Sequence, residues 1–154
     1  MWGGTREKAI GIADESQSSG HFERISPVKN SIKSIKSLAS KNRFFIITSR
    51  PENWKTKTEK WVKRHLGNID CKIIYTNDFY NRHGKSKSEI CIEKGIKLIL
   101  EDHGKYSLDC AKKGVRVILF DKPWNKKARH RNIIRVYDWL EAVGKINEIQ
   151  KDHG

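Results

Sequence analysis

Four short apolar runs, each closed by polar or acidic residues and separated by a helix-sized interval, constrain this 154-residue chain most. Residues 44–48 run into Ser49-Arg50-Pro51, 71–76 into Asn77-Asp78, 96–100 into Glu101-Asp102, and 115–120 into Asp121. Runs that are apolar throughout, rather than at alternate positions, belong to strands covered on both faces, as in a parallel sheet. Parallel strands need crossover segments, and the intervals supply helical patterns. Ser26-Pro27 opens one, with Val28, Ile32, Ile35, Leu38 and Ala39 at helical spacing. Trp54, Thr58, Trp61 and Val62 share one face of a second, predicted over 54–66 and closed by Gly67. Further helices are predicted over 5–18, 86–94, 106–113 and 138–147, with a short strand over 133–136 and fraying over 151–154. In such sheets ligands bind beyond the carboxyl ends of the strands. Thr48, Ser49, Arg50, Thr76, Asn77, Asp78, Glu101, Asp102 and Asp121 are therefore expected to gather in space although they are far apart in sequence.

Composition narrows the setting. No run approaches 18 apolar residues, so no membrane-spanning helix is expected. Met1-Trp2-Gly3-Gly4 is not followed by an apolar core of the kind a secretory signal carries. Cys71, Cys91 and Cys110 form no CxxC pair, and three widely spaced thiols read as reduced, buried residues of a cytoplasmic protein. The net charge is +14, and Lys122, Lys126, Lys127, Arg129 and Arg131 crowd the stretch between Arg116 and Arg135. That surface suits phosphorylated ligands or nucleic acid, and equally reads as a solvated lysine-rich face. Aromatic residues are not interleaved with the basic ones as on a stacking platform, and the tryptophans read as core or loop fillers. The histidines His21, His65, His83, His103 and His130 form no ligand-spaced cluster.

The strand ends resemble those of the haloacid dehalogenase (HAD) superfamily of phosphohydrolases, in particular its deoxyribonucleotidase-like 5′-nucleotidases. Phe44-Phe45-Ile46-Ile47-Thr48-Ser49-Arg50-Pro51 is similar to the family's second motif, and Gly84-Lys85-Ser86-Lys87-Ser88-Glu89 to the third. Leu98-Ile99-Leu100-Glu101-Asp102 resembles the acidic fourth motif, and Val117-Ile118-Leu119-Phe120-Asp121-Lys122-Pro123-Trp124-Asn125 the last core strand and its loop. The resemblance implies a three-layer, Rossmann-like parallel sheet with helices on both faces. It implies hydrolysis of a phosphate monoester, with a nucleotide as the substrate class and Mg²⁺ as cofactor. In these enzymes an aspartate attacks the phosphate while the cation and a lysine neutralise its charge. Carried over, Asp102 holds the metal with Glu101 assisting or orienting. Lys87, with Lys85 as the alternate, bridges nucleophile and phosphate. Thr48, Ser49 and Arg50 contact the phosphate.

Blander readings stand beside these. Thr48-Ser49 also suits a cap, Glu101-Asp102 a solvated turn, the two lysines surface charge, Asp109 an exposed helix position and Asp121 a loop acid. One element of the resemblance is missing. The family's first motif, an apolar strand ending in Asp-x-Asp, has no counterpart here. Its one approximation, Ala9-Ile10-Gly11-Ile12-Ala13-Asp14-Glu15-Ser16, reads as helix and has Ser16 in place of the second acid. Residues 1–25 then read as a remnant of a helical cap-like segment, 26–150 as the HAD-like core, and 151–154 as a tail. The absent strand belongs at the centre of the sheet, where its loss leaves a gap of roughly 9.6 Å, two strand spacings. The expected outcomes are direct pairing of the flanking strands, a strand supplied by another segment or by a second copy in a homo-oligomer, or a longer gene product. The lone chain is expected to be inactive or incomplete as an enzyme. Its alternative role is that of a non-catalytic protein binding a phosphate ligand, nucleic acid or protein.

Overall fold

The structure is a computed structural model that describes residues 5, 7, 8, 11, 12, 14, 15, 20, 22–67, 69–76 and 84–151. It divides into two compact units, residues 1–84 and 85–154. In the first, residues 7, 8, 11, 12, 14 and 15 are helical, and Asp14 is among them, as its context suggests. Helix α1 (Ser31–Ala39) leads into strand β1 (Phe44–Thr48), a 3₁₀ turn (Glu52–Trp54), helix α2 (Lys55–Leu66) and strand β2 (Cys71–Tyr75). The second unit holds α3 (Lys87–Glu93), β3 (Leu98–Glu101), α4 (Gly104–Lys112), β4 (Arg116–Phe120), a 3₁₀ turn (Pro123–Asn125), β5 (Ile133–Val136) and α5 (Trp139–Lys151).

The class is α/β and every ladder among the described residues is parallel, as the apolar runs require. The strands form two sheets, β1-β2 and β3-β4-β5. In the first, Phe44 faces Cys71 and Thr48 faces Tyr75. In the second, Leu98 faces Arg116 and Val117 faces Ile133, so β4 is bonded along both edges.

Helix α1 begins later than its sequence suggests. Asn30 adopts a left-handed φ of 65°, which a right-handed helix cannot include, so helical geometry starts at Ser31 and Val28 stays outside, 69% exposed. Helix α3 matches its signals closely. Ser86 accepts the N–H of Glu89 while the Glu89 carboxylate accepts the N–H of Ser86, a capping box that ties down two amides without helical partners. Gly114 closes α4 at φ 85°, a conformation open to glycine without a Cβ clash.

The core of the second unit is β4 with its neighbours. Val117, Ile118, Leu119, Val136, Cys91 and Cys110 are completely buried, and burying one such aliphatic side chain contributes about 1.5–3 kcal/mol. The three cysteines are free, with Cys71 half-buried. Asp109 departs from the expectation of an exposed helix position. It is half-buried and accepts the hydroxyl proton of the fully buried Ser88, which Lys113 Nζ also reaches at 2.9 Å. The core of the first unit is Leu38, Leu66, Trp54 and Phe22. No helix among the described residues is long and apolar enough to cross a membrane.

Candidate functional site

The tip of β1 is held by its own backbone. Thr76 N–H bonds to Thr48 O at 2.9 Å, extending the ladder one residue past the end of β2. Thr48 Oγ1 then accepts the N–H of Arg50 at 3.2 Å, which turns the chain sharply. Inside that turn the Ser49 hydroxyl is buried with no hydrogen-bond partner among the described residues. An unmade bond of this kind costs about 1–3 kcal/mol. The Arg50 guanidinium lies 4.2 Å from the centroid of the Phe22 ring and donates to Thr58 Oγ1 at 3.4 Å. Among the described residues no carboxylate forms an ion pair with it. Burial holds its pKa below the ordinary arginine value.

The second cluster joins the start of α3 to the end of β3. Lys87, the first residue of α3, donates to Glu101 Oε2 at 2.6 Å, and both side chains are largely buried. The other Glu101 oxygen accepts the N–H groups of Asp102 and His103 at 3.0 and 3.1 Å. Burial opposes the charge on Glu101, but Lys87 and these two amides outweigh it and hold the carboxyl below the usual range. Lys87 Nζ also lies 4.8 Å from the centroid of the Tyr106 ring. Asp102 is exposed as a residue, but its carboxyl is partly desolvated, and this together with the neighbouring Glu101 raises its pKa. Lys85 is placed differently: 67% exposed, it pairs with Glu93 at 2.6 Å.

A densely hydrogen-bonded loop adjoins Asp102. The Asp102 carbonyl accepts both Trp124 Nε1–H at 3.0 Å and Asn125 Nδ2–H at 2.7 Å, and Asn125 reaches Phe120 O as well. Arg135 on β5 secures the loop from below, donating to Asn125 Oδ1, Asn125 O, Ala128 O and Asp121 Oδ1. Gly104 completes the fit, because a Cβ there would lie 3.2 Å from Ala128 Cβ.

The structure thus brings Lys87, Glu101 and Asp102 together in one unit, sets Lys85 apart on the surface, and places Thr48, Ser49 and Arg50 at one strand tip in the other. Asp121 is no bare loop acid, since it pairs with Arg135 at 2.9 Å and with Lys126. Asn77 and Asp78 lie outside the described residues. Sequence reasoning gave no role to Phe22 or Tyr106 and named Asn125 and Arg135 only as parts of a loop motif and a basic stretch. The clue for Asn125 was its place directly after Pro123-Trp124 at a strand tip; Phe22 and Arg135 act over distances no local pattern encodes.

Residues 14–151 match the family model described as 5′ nucleotidase, deoxy (pyrimidine), cytosolic type C protein. The chain is 32% identical over 111 residues to YqfW of Bacillus subtilis (strain 168), whose name makes it a nucleotidase candidate. That alignment covers 71% of this chain and 54% of YqfW. A nucleotidase of Clostridium acetobutylicum is 25% identical over 115 residues, covering 75% of this chain and 56% of the relative. The chain therefore spans about half the length of the curated relatives it matches. No solved structure matches it significantly.

Proposed function

The chain belongs to this 5′-nucleotidase family of the HAD superfamily, and from that premise we propose that it is a nucleotidase-type phosphohydrolase element that binds the phosphate of a nucleotide. The observation that carries the reading is the buried Lys87–Glu101 pair beside the exposed Asp102. A lysine held at one atom by a buried carboxylate is a fixed positive charge, suited to a phosphoryl group whose charge persists through transfer. We assign phosphate neutralisation to Lys87 rather than Lys85, orientation of Lys87 and Asp102 to Glu101, and phosphate contact to Thr48, Ser49 and Arg50. Arg50 has a desolvated guanidinium and no carboxylate partner among the described residues, which suits an anion that arrives with the substrate.

Mg²⁺ is the cofactor the family implies. Glu101 uses both oxygens on Lys87 and on backbone amides, and no group of three His, Cys, Asp or Glu among the described residues stands ready for a metal. A hard cation of this size takes about six oxygen ligands, so these donors by themselves do not fit it. Asp102 remains our candidate for the one cation-facing carboxylate. No apolar strand ending in Asp-x-Asp occurs within these 154 residues, so we propose that the 154-residue chain alone turns over phosphate esters slowly or not at all. We propose a cytoplasmic setting, which suits three free thiols. We also propose that the outer edge of β1, which pairs only with β2 among the described residues, takes a strand from a second copy or another segment.

Calorimetric titration with a nucleoside 5′-monophosphate in Mg²⁺ buffer tests the site. Lys87→Met and Asp102→Asn are each expected to weaken binding at least about tenfold, the ~1.4 kcal/mol or more that one charge-assisted contact contributes. Unchanged affinity in both variants overturns the assignment. Phosphate release at an ordinary enzymatic rate, about 1 s⁻¹ or faster, overturns the slow-turnover proposal. A second reading, non-catalytic binding of a polyanion, is favoured by the exposed Lys127, Arg129 and Arg131 beyond the 3₁₀ turn. It is supported if oligonucleotide binding falls steeply with salt while the nucleotide shows none.

A further inference from the structure

Trp124 is 60% exposed, and isolated exposed aromatic residues ordinarily need no explanation. Its surroundings set this one apart. The indole N–H is satisfied by the Asp102 carbonyl rather than by water, so the ring is tied by its edge while most of the residue stays open to solvent. The next residue, Asn125, is 2% exposed and bonds the same carbonyl. The preceding Pro123 sits at the start of the 3₁₀ turn. Four hydrogen bonds from Arg135 lock the loop. The other well-described tryptophans serve different ends: Trp54 is 8% exposed, Trp61 bonds Ile25 O, and Trp139 lies 5.1 Å from the Phe120 ring, centroid to centroid. Among the described tryptophans, only Trp124 combines a largely exposed ring with an indole N–H bonded to the residue that we assign to face the cation.

From this juxtaposition we infer that Trp124 is a specificity-determining residue, on whose face the base of a nucleotide stacks while its phosphate is held near Lys87 and Asp102. The inference rests on the phosphate reading above. The indole face accepts any planar base, so it selects base-bearing phosphate esters over baseless ones without choosing among bases. The fixed edge means that the ring is already ordered before the ligand arrives, which strengthens binding. Asn125 keeps its own bond to the Asp102 carbonyl when the indole is removed, so Trp124→Ala is expected to leave the loop folded.

Calorimetric titrations of the whole chain and its variants in Mg²⁺ buffer, with a nucleoside 5′-monophosphate and with ribose 5-phosphate, read the effect as a ratio of affinities. The wild-type ratio is expected to be about 5 to 150, the range that one base–aromatic stack gives. Trp124→Ala brings it towards one, and Trp124→Phe keeps most of it. A wild-type ratio of one, no binding of either ligand, or a ratio unchanged in Trp124→Ala overturns the inference. Asp102→Asn is expected to weaken both ligands alike and leave the ratio intact. If it weakens neither while the ratio still depends on Trp124, the phosphate reading fails and the stacking role stands.

Discussion

Strands β1 and β4 are both five residues long and almost wholly apolar, yet they end in different environments. Every residue of β1 is only half-buried, whereas Val117, Ile118 and Leu119 of β4 are sealed from solvent. The difference lies in pairing: β4 is flanked by β3 and β5, while β1 bonds only β2 among the described residues. An apolar run thus announces a strand, but the number of its neighbours decides how deeply it is buried. The charged groups of the two units divide in the same way. Lys87 is matched by Glu101, whereas Arg50 rests on a ring and a hydroxyl.

The largest expected effect comes from breaking the matched pair. Lys87→Met leaves the Glu101 charge buried without its cation and is expected to cost about 3–5 kcal/mol in urea denaturation. Adding Glu101→Gln should recover a large part of that loss, and a double variant as unstable as the single one would show that the pair is not the unit of stability. Next comes the buried strand. Ile118→Ala is expected to cost about 2–5 kcal/mol and Ile46→Ala in β1 less than half as much; equal losses would erase the contrast between the strands. Arg50→Gln removes a desolvated charge and strands no carboxylate, so its effect on stability should stay within about 1 kcal/mol. A loss above 2 kcal/mol would reveal a partner for Arg50. The smallest effect concerns pH. Lys126 first, and Arg135 with it, hold the Asp121 carboxyl below the usual 3.8. A carboxyl with a depressed folded-state pKa binds fewer protons than in the unfolded chain, so its contribution is present above pH 3.8 and fades as the pH falls further. Asp121→Asn should flatten that acid limb of a melting-temperature profile, and an unaltered limb would show that the contacts carry no linkage.

Much of this architecture was legible because apolar runs and helical spacing report burial directly. The strand at Phe44–Thr48, the short strand at Ile133–Val136 and the helix after Ser86 stand where those patterns put them. The start of α1 was hidden because nothing local announces that Asn30 takes a left-handed φ. Asp109 looked exposed because its partner, Ser88, lies on another helix. At the candidate site the residue types at the strand tips could be read off, but not the choice between Lys85 and Lys87. Two positions apart at a helix start, they differ only once the helix exists and turns one towards β3 and the other towards Glu93. The fixing of Trp124 was out of reach for a similar reason, because its partner is a backbone carbonyl 22 residues away.

The lattice around Arg135 also bears on how the molecule meets proteases. Lys126, Lys127 and Arg129 are exposed, and their bonds look like ready targets for trypsin. Cleavage requires a segment to leave its place and extend across the enzyme, and backbone hydrogen bonding resists that. Here the carbonyls of Asn125 and Ala128 are held by Arg135, and the Ala128 amide is held by Asn125. The most basic stretch of the chain is therefore poorly placed to be its first point of digestion.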